Sequence, residues 1–321
     1  MYKKIIVVGG PTATGKTKLA ISAASIVNGE ILNADSMQVY SSLNIGTNKG
    51  DLASAKNVRE REVLLDQKKF VIKPYYLEGS KIVSWLFDLV PPDYNFTVIE
   101  YKQLAEHFIQ DIRSRGKVPI LVGGTGLYID AVLRDYNTRG QVNRKLREEL
   151  KYLSIPELHT RLLELDFKPD LLNNSDKNNP RRLIRLIERL KSENTPIYKS
   201  ASFVYDHVFL YPRFEFKELE QKLKLRVDRM LAEGFIMEVE ELLRKGYSSE
   251  LKALQATGYR EVIMFLQGKI ISIEELKKKI VLAHRQYAKR QVTWFEGRGR
   301  NYDLVRINFD SKSDLENSLE I

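Results

Sequence analysis

The sequence predicts an α/β protein in which a doubly wound parallel sheet carries an inserted all-helical unit and a set of C-terminal helices. Three observations predict it. Short β-branched strands alternate with helical stretches over residues 1–136. Residues 137–203 read as helix with no good strand, and residues 204–321 open on a strand that returns to the sheet and then run mostly as helix. Ligands of such a sheet collect beyond the carboxyl ends of its strands, so chemistry is sought there.

Taken in order, Lys4-Ile5-Ile6-Val7-Val8 is a β-branched run ending at Gly9, the pattern of a buried parallel strand. A glycine-bounded loop, Gly10-Pro11-Thr12-Ala13-Thr14-Gly15-Lys16-Thr17, leads into the helical Lys18–Ala24. Gly29–Ala34 is a second strand and stops at Asp35-Ser36. Residues 47–95 are irregular, and a partly helical excursion is expected there. A periodic helix from about Val98 to Arg115 precedes the strand Val118–Val122, which ends in Gly123-Gly124-Thr125.

Within the inserted unit, Asn178-Asn179-Pro180 reads as a capped start into an amphipathic helix. Leu183, Leu186, Ile187 and Leu190 form its apolar stripe, while Arg181, Arg185 and Arg189 recur on another face. His207–Tyr211 is the returning strand. Helices are expected over about Phe216–Lys245, Gln255–Gln267 and Ile273–Phe295, with Tyr302–Ile307 as a last edge strand.

The composition removes several classes of chemistry. With no Cys there is no disulfide frame, thiol nucleophile or thiolate metal site, and the four His are scattered without metal-ligand spacing. No apolar run approaches the ~18 residues of a membrane-spanning helix, and the N-terminus reaches glycine too soon for a signal peptide, so a cytosolic protein is expected. The formal charge of +10 is uneven: residues 1–136 hold 17 Lys and Arg against 14 Asp and Glu, and the remainder 35 against 28. The later part is therefore the better candidate for meeting a polyanion, although a solvated helix face is the commoner cause of an arginine row.

Gly10-x-x-x-x-Gly15-Lys16-Thr17 matches the P-loop pattern and sits between a strand and a helix, the context it requires. Its glycines let backbone N–H groups wrap a phosphate, Lys16 adds a point charge, and Thr17 is placed to ligate Mg²⁺. By itself the loop reads a di- or triphosphate, ATP included, and not what is attached. A P-loop hydrolase carries an aspartate at the end of a second apolar strand; here that strand ends in Gly123-Gly124-Thr125, which favours a transferase. Asp35 ends the strand after the P-loop helix, where it either faces the phosphate crevice or caps a helix.

The ordered series of motifs resembles the tRNA dimethylallyltransferase, or tRNA isopentenyltransferase, family. It runs through the P-loop, Asn33-Ala34-Asp35-Ser36-Met37-Gln38-Val39-Tyr40, Asn44-Ile45-Gly46-Thr47, Val122–Tyr128, Pro180–Arg185, Arg226–Leu231, Gln255–Arg260 and Tyr287–Phe295. The resemblance implies transfer of a dimethylallyl group from dimethylallyl diphosphate to N6 of the adenosine 3′ to the anticodon of tRNA, with Mg²⁺ and release of diphosphate. It implies Asp35 as general base, Lys16, Thr17 and Arg226 on the leaving diphosphate beside loop residues Gly10, Pro11, Thr12, Ala13, Thr14 and Gly15, and Thr125 beside the reacting groups. Contacts with the anticodon stem-loop are implied for Asp35, Ser36, Met37, Gln38 and Thr125. They are implied likewise for Arg181, Arg182, Leu183, Ile184 and Arg185, and for Gln255, Ala256, Thr257, Gly258, Tyr259 and Arg260.

Two positions depart from the family pattern. Lys222 stands where an arginine is usual, and Ser84-Trp85-Leu86-Phe87-Asp88 replaces a segment that often begins with two histidines. Alternatives are an isopentenyltransferase of free adenine nucleotides, a small-molecule P-loop kinase, and an RNA-binding protein using nucleotide as a switch. A monomer is expected, with no membrane partner.

Overall fold

The computed structural model describes residues 4–134, 144–191, 203–297, 301–308 and 312–319. The chain divides into Met1–Arg134 with Phe203–Ile321 as one unit and Asp135–Ser202 as another. Strands of the larger unit are β1 (Ile5–Gly9), β2 (Gly29–Asn33), β3 (Leu52–Ser54), β4 (Arg61–Leu65), β5 (Lys68–Ile72), β6 (Tyr75–Leu77), β7 (Val83–Trp85), β8 (Val118–Gly123), β9 (His207–Pro212) and β10 (Leu304–Ile307). Helices of the chain are α1 (Lys16–Val27), α2 (Val98–Ser114), α3 (Gly126–Leu133), α4 (Arg144–Leu150), α5 (Ile155–Leu163), α6 (Asn174–Lys177), α7 (Pro180–Lys191), α8 (Phe216–Ala232), α9 (Phe235–Arg244), α10 (Tyr259–Leu266), α11 (Ile273–Glu296) and α12 (Lys312–Ser318).

One sheet runs β10-β9-β1-β8-β2-β7-β6-β3. Its pairs from β10 to β7 are parallel, and β6 and β3 add antiparallel to that edge. Every residue of β1, β2 and β8 is buried, as the inner strands of a sheet covered on both faces should be. Ile6, Val8, Ile31, Ile120 and Leu210 pack with Leu19, Ala20 and Ala23 of α1 on one face, while Ile5, Val7, Leu32 and Leu121 join the larger cluster containing α2 and α3 on the other.

The excursion over 47–95 is not partly helical; among the described residues it is β. Its strands alternate too briefly to announce themselves: β4 and β5 have one and two buried residues and pair in a hairpin across Asp66-Gln67, both at positive φ. That turn needs two left-handed residues, and neither is the glycine or asparagine that would have signalled it. Trp85, where the family pattern often has histidine, is fully buried and donates from Nε1 to Glu30 Oε2 at 2.8 Å. Burial alone would raise the Glu30 carboxyl, but bonds from Arg115, Lys117 and Trp85 together hold it at about 2.

The expected helix 216–245 is two, α8 and α9, divided at Gly234, whose φ of 97° no ordinary residue adopts readily. The expected helix from Gln255 starts at Tyr259 instead, because Gly258 at φ 93° sets a turn before it. Leu133 and Val204, with the Arg134–Phe203 bridge, bring the chain back together where the Asp135–Ser202 unit is inserted. That unit holds α4 to α7 around Leu146, Leu150, Leu158, Leu162, Leu183 and Ile187. Of the stretch 137–202 read as helical, residues 137–143 and 192–202 lie outside the described residues. No helix among the described residues is long and apolar enough to cross a membrane.

Candidate active site

The loop after β1 is shaped by Gly10 at φ 140°, Ala13 at φ 64° and Gly15 at φ 83°. Inside it Thr14 Oγ1 donates to Pro11 O at 2.8 Å, and Lys16 Nζ donates to the same carbonyl at 2.6 Å. Lys16 and Thr17 open α1, so the loop's amides and the helix start face one spot. Because β8 lies between β1 and β2, the segment after β8 falls between this loop and Asp35.

Asp35 does not cap a helix. Its Oδ1 accepts from Met37 N at 2.8 Å in a local turn, and Asn33 Oδ1 holds its own N–H at 3.1 Å. Burial raises the Asp35 carboxyl above its usual range, against the pull of Lys16 and Arg226. Burial, and then Arg226, lower Lys16 to about 7; burial and Arg229 lower Arg226 to about 10. A carboxylate and two cations thus share one poorly solvated place, which is how protein sites move pKa values towards neutrality.

Thr125 joins this group through backbone pairing. Thr125 N donates to Ala34 O at 3.2 Å, Ser36 N donates to Thr125 Oγ1 at 3.0 Å, and the Thr125 hydroxyl donates to Ser36 Oγ at 3.2 Å. A Cβ at Gly123 would overlap the Ala34 backbone, so the glycine lets these two strand ends close. Arg226 on α8 donates to Thr12 Oγ1 at 2.6 Å. Lys222, one turn earlier, is exposed and pairs with Glu218 at 3.8 Å, leaving Arg226 as the member of that pair drawn to the loop.

Other expected residues divide by exposure. Gln38 Nε2 donates to the carbonyls of Thr47 and Asn48, and Met37 packs against the core. Gln255 and Arg260 are exposed, whereas Gly258 and Tyr259 are buried, the Tyr259 hydroxyl donating to Glu238 Oε1 at 2.6 Å. Ala256 and Thr257 are half-buried between them. In the inserted unit Arg181 and Arg182 are exposed, Arg182 pairing with Asp176. Leu183 is fully buried in that unit's core, which takes its side chain out of reach of an RNA, and Ile184 packs partly against the same core. Arg185 pairs with Glu188 at 3.3 Å, and Glu188 also receives Arg147, so the arginine row is partly folded into ion pairs.

Residues missed by sequence reasoning come mostly from α11 and α9. Gln291 bonds Thr12 N and Gly124 O, and the Tyr287 hydroxyl interacts with Thr125 and Gln291. His284 is buried beside Arg226, which with burial lowers it to about 3, so it stays neutral. Glu238 accepts from the amides of Asn44, Ile45 and Gly46. The Gln291 and Glu238 contacts join residues 167 to 279 apart, and the Tyr287–Phe295 and Asn44–Thr47 motifs alone hinted at them.

A loop of P-loop pattern beside a half-buried carboxylate, with a threonine turn in place of the hydrolase aspartate, is the arrangement of a P-loop group transferase. Comparison with known proteins narrows the class. A family model described as IPP transferase matches residues 72–299. A tRNA dimethylallyltransferase of Thermoanaerobacter sp. (strain X514) is 35% identical over 322 residues, covering 96% of this chain and 92% of that protein. One of Exiguobacterium sibiricum is 38% identical over 316 residues, covering 95% and 91%. Among solved structures, the full-length tRNA isopentenylpyrophosphate transferase of Bacillus halodurans superposes with TM-score 0.66 at 30% identity, covering 99% of this chain and 98% of that one. A eukaryotic dimethylallyltransferase acting on tRNA gives TM-score 0.71 at 26% identity, covering 95% and 74%. The chain belongs to the tRNA dimethylallyltransferase family and is thereby an enzyme, a prenyltransferase of tRNA modification.

Proposed function

We propose that this site transfers a dimethylallyl group from dimethylallyl diphosphate to the exocyclic N6 of the adenosine 3′ to the anticodon, releasing diphosphate. The observation that carries the reading is the gathering of Asp35, Lys16 and Arg226, each with a displaced pKa, beyond neighbouring strand ends. In the reaction the bond from N6 to the allylic carbon forms while that carbon's bond to the diphosphate oxygen breaks. Adenine N6 is a poor nucleophile because its lone pair is delocalised into the ring, so Asp35 takes its proton as attack develops. Loop amides, Lys16 and Arg226 stabilise the charge that gathers on the leaving diphosphate. Thr125, tied to Ser36, orients the acceptor nucleotide beside Asp35.

Among the described residues no group of three His, Cys, Asp or Glu could cage a metal ion. A hydroxyl at the start of α1 completed by substrate oxygens and water suits Mg²⁺, which keeps several waters in its shell. Thr17 would hold it there, and the ion would supply further neutralisation of the diphosphate.

The acceptor base has to leave the anticodon stack, at a cost of a few kcal/mol, to reach Asp35. Arg181 and Arg182, exposed on α7, and exposed Gln255 and Arg260 are surfaces that a free nucleotide would not need, which favours tRNA over AMP. We expect a cytosolic monomer. The test is to incubate the protein with labelled dimethylallyl diphosphate, Mg²⁺ and either total tRNA or AMP, then analyse nucleosides. Label in N6-dimethylallyladenosine from tRNA alone is expected. Label on AMP alone would move the protein to the free-nucleotide class, and label on neither would overturn the reading.

A further inference from the structure

Helix α11 lays residues one turn apart against the loops after β1 and β8. Tyr287 reaches Thr125, Gln291 reaches Thr12 and Gly124, and Trp294 packs where a Cβ at Gly126 would overlap its ring. We propose that Gln291 is a positioning residue for the transfer: one buried amide that holds the diphosphate loop and the Thr125 loop in fixed register. The proposal rests on the reading above, in which diphosphate sits on the first loop and the acceptor adenosine beside the second.

Gln291 is 4% exposed. Its Oε1 accepts from Thr12 N at 2.8 Å and its Nε2 donates to Gly124 O at 2.9 Å. A neutral amide offers a donor and an acceptor from one side-chain end, so it ties two backbones together without burying a charge. The Thr12 N–H is thereby committed to Gln291 and is not among the donors turned to phosphate. Since Thr12 Oγ1 accepts from Arg226, residue 12 is fixed from both sides. Gly124 matches the clamp, because a Cβ there would overlap Gln291 Nε2. The electrophile would hang from the loop of Thr12 and the nucleophile lie beside Thr125, so the clamp sets the distance between the reacting atoms. A misplacement of about 1 Å there costs on the order of 100-fold in rate.

Gln291→Met, Gln291→Ala, Gln291→Glu, Gly124→Ala and the double variant Gly124→Ala with Gln291→Ala are compared with wild type for kcat, both KM values and melting temperature. Gln291→Met is expected to lower kcat about 10- to 100-fold while each KM changes by less than about 3-fold. The double variant is expected to be no slower than the slower of Gly124→Ala and Gln291→Ala, since both break the same contact. The rate of Gln291→Glu relative to wild type is expected to rise as pH falls, because the protonated acid is again a neutral donor and acceptor. Multiplicative losses, a flat pH ratio, or a rise in KM and a fall in melting temperature in step with the loss of kcat would make Gln291 a packing residue and overturn the proposal. If Gln291→Met does not fold, Gly124→Ala and the Gln291→Glu pH profile decide. Absence of turnover in wild type sinks the functional reading, whereas normal turnover in Gln291→Met sinks the clamp alone.

Discussion

The loop region beyond β1, β8 and β2 and the arginine helix α7 both gather cations, and they handle them in opposite ways. At the first, Lys16 and Arg226 lie half-buried near one another, and their pKa values fall to about 7 and about 10. On α7, Arg181 stays exposed, Arg182 pairs with Asp176, and Arg185 leans on Glu188. Desolvated charge is costly to hold but acts strongly on a leaving group; solvated charge is cheap and acts weakly, by number, on a polyanion. We accordingly propose chemistry at the first and tRNA contact at the second, and each proposal breaks in its own manner.

Removing a cation of the loop region gives a far larger effect than removing one from α7. Lys16→Met is expected to lower kcat about 100- to 1,000-fold, as loss of a charge-stabilising donor does elsewhere. It should also stabilise the fold. Lys16 titrates at about 7 when folded against an ordinary 10.5, so holding its charge costs stability in full below pH 7, and the cost fades as pH rises from 7 towards 10.5. A melting temperature higher by about 2–4 °C at pH 6 is the expected companion of the lost rate. An equally inactive but less stable variant would show Lys16 to be a structural residue.

The pH profile of kcat/KM for the prenyl substrate sharpens the same contrast. It should climb as the cluster containing Asp35 deprotonates, with that limb above the ordinary aspartate range, and fall as Lys16 loses its proton near pH 7. Both limbs belong to the coupled cluster of Asp35, Lys16 and Arg226. Bound diphosphate favours the charged lysine, so the falling limb should move upward in kcat; a limb that stays near 7 would deny the contact.

The smallest effects belong to α7. Arg181→Ala should reduce the slope of log affinity against log salt by about 0.7, the value for one contact to single-stranded RNA. Arg185→Ala should change it less, because Glu188 already occupies that guanidinium. Equal changes in binding titrations at several salt concentrations would mean that the ion pair opens on RNA.

What the sequence disclosed and what it hid follow from the range of the interactions. The P-loop was legible because glycine spacing between a strand and a helix is local backbone geometry. Asp35 was legible as a strand end, but whether it capped a helix or faced the loop depended on partners elsewhere in the chain. Gln291 was hidden because its bond to Thr12 joins residues 279 apart. Glu238 was hidden for the same reason, its three amides lying 192 to 194 residues back in a separate loop. Strands β3 to β7 were misread because β3 to β6 are half-exposed runs of three to five residues with little periodicity, β7 has only three residues, and the Asp66-Gln67 turn lacks glycine. Trp85 was a departure without meaning until its bond to Glu30 placed it in the core.

The central claim is that Asp35 takes the proton from N6. Single-turnover prenyl transfer by Asp35→Asn, measured beside its affinity for the same tRNA, tests it most directly. The amide keeps the size of the side chain and cannot accept the proton, so transfer is expected to fall by about 100- to 10,000-fold with affinity nearly unchanged. A loss of affinity matching the loss of rate would make Asp35 a recognition residue and contradict the account.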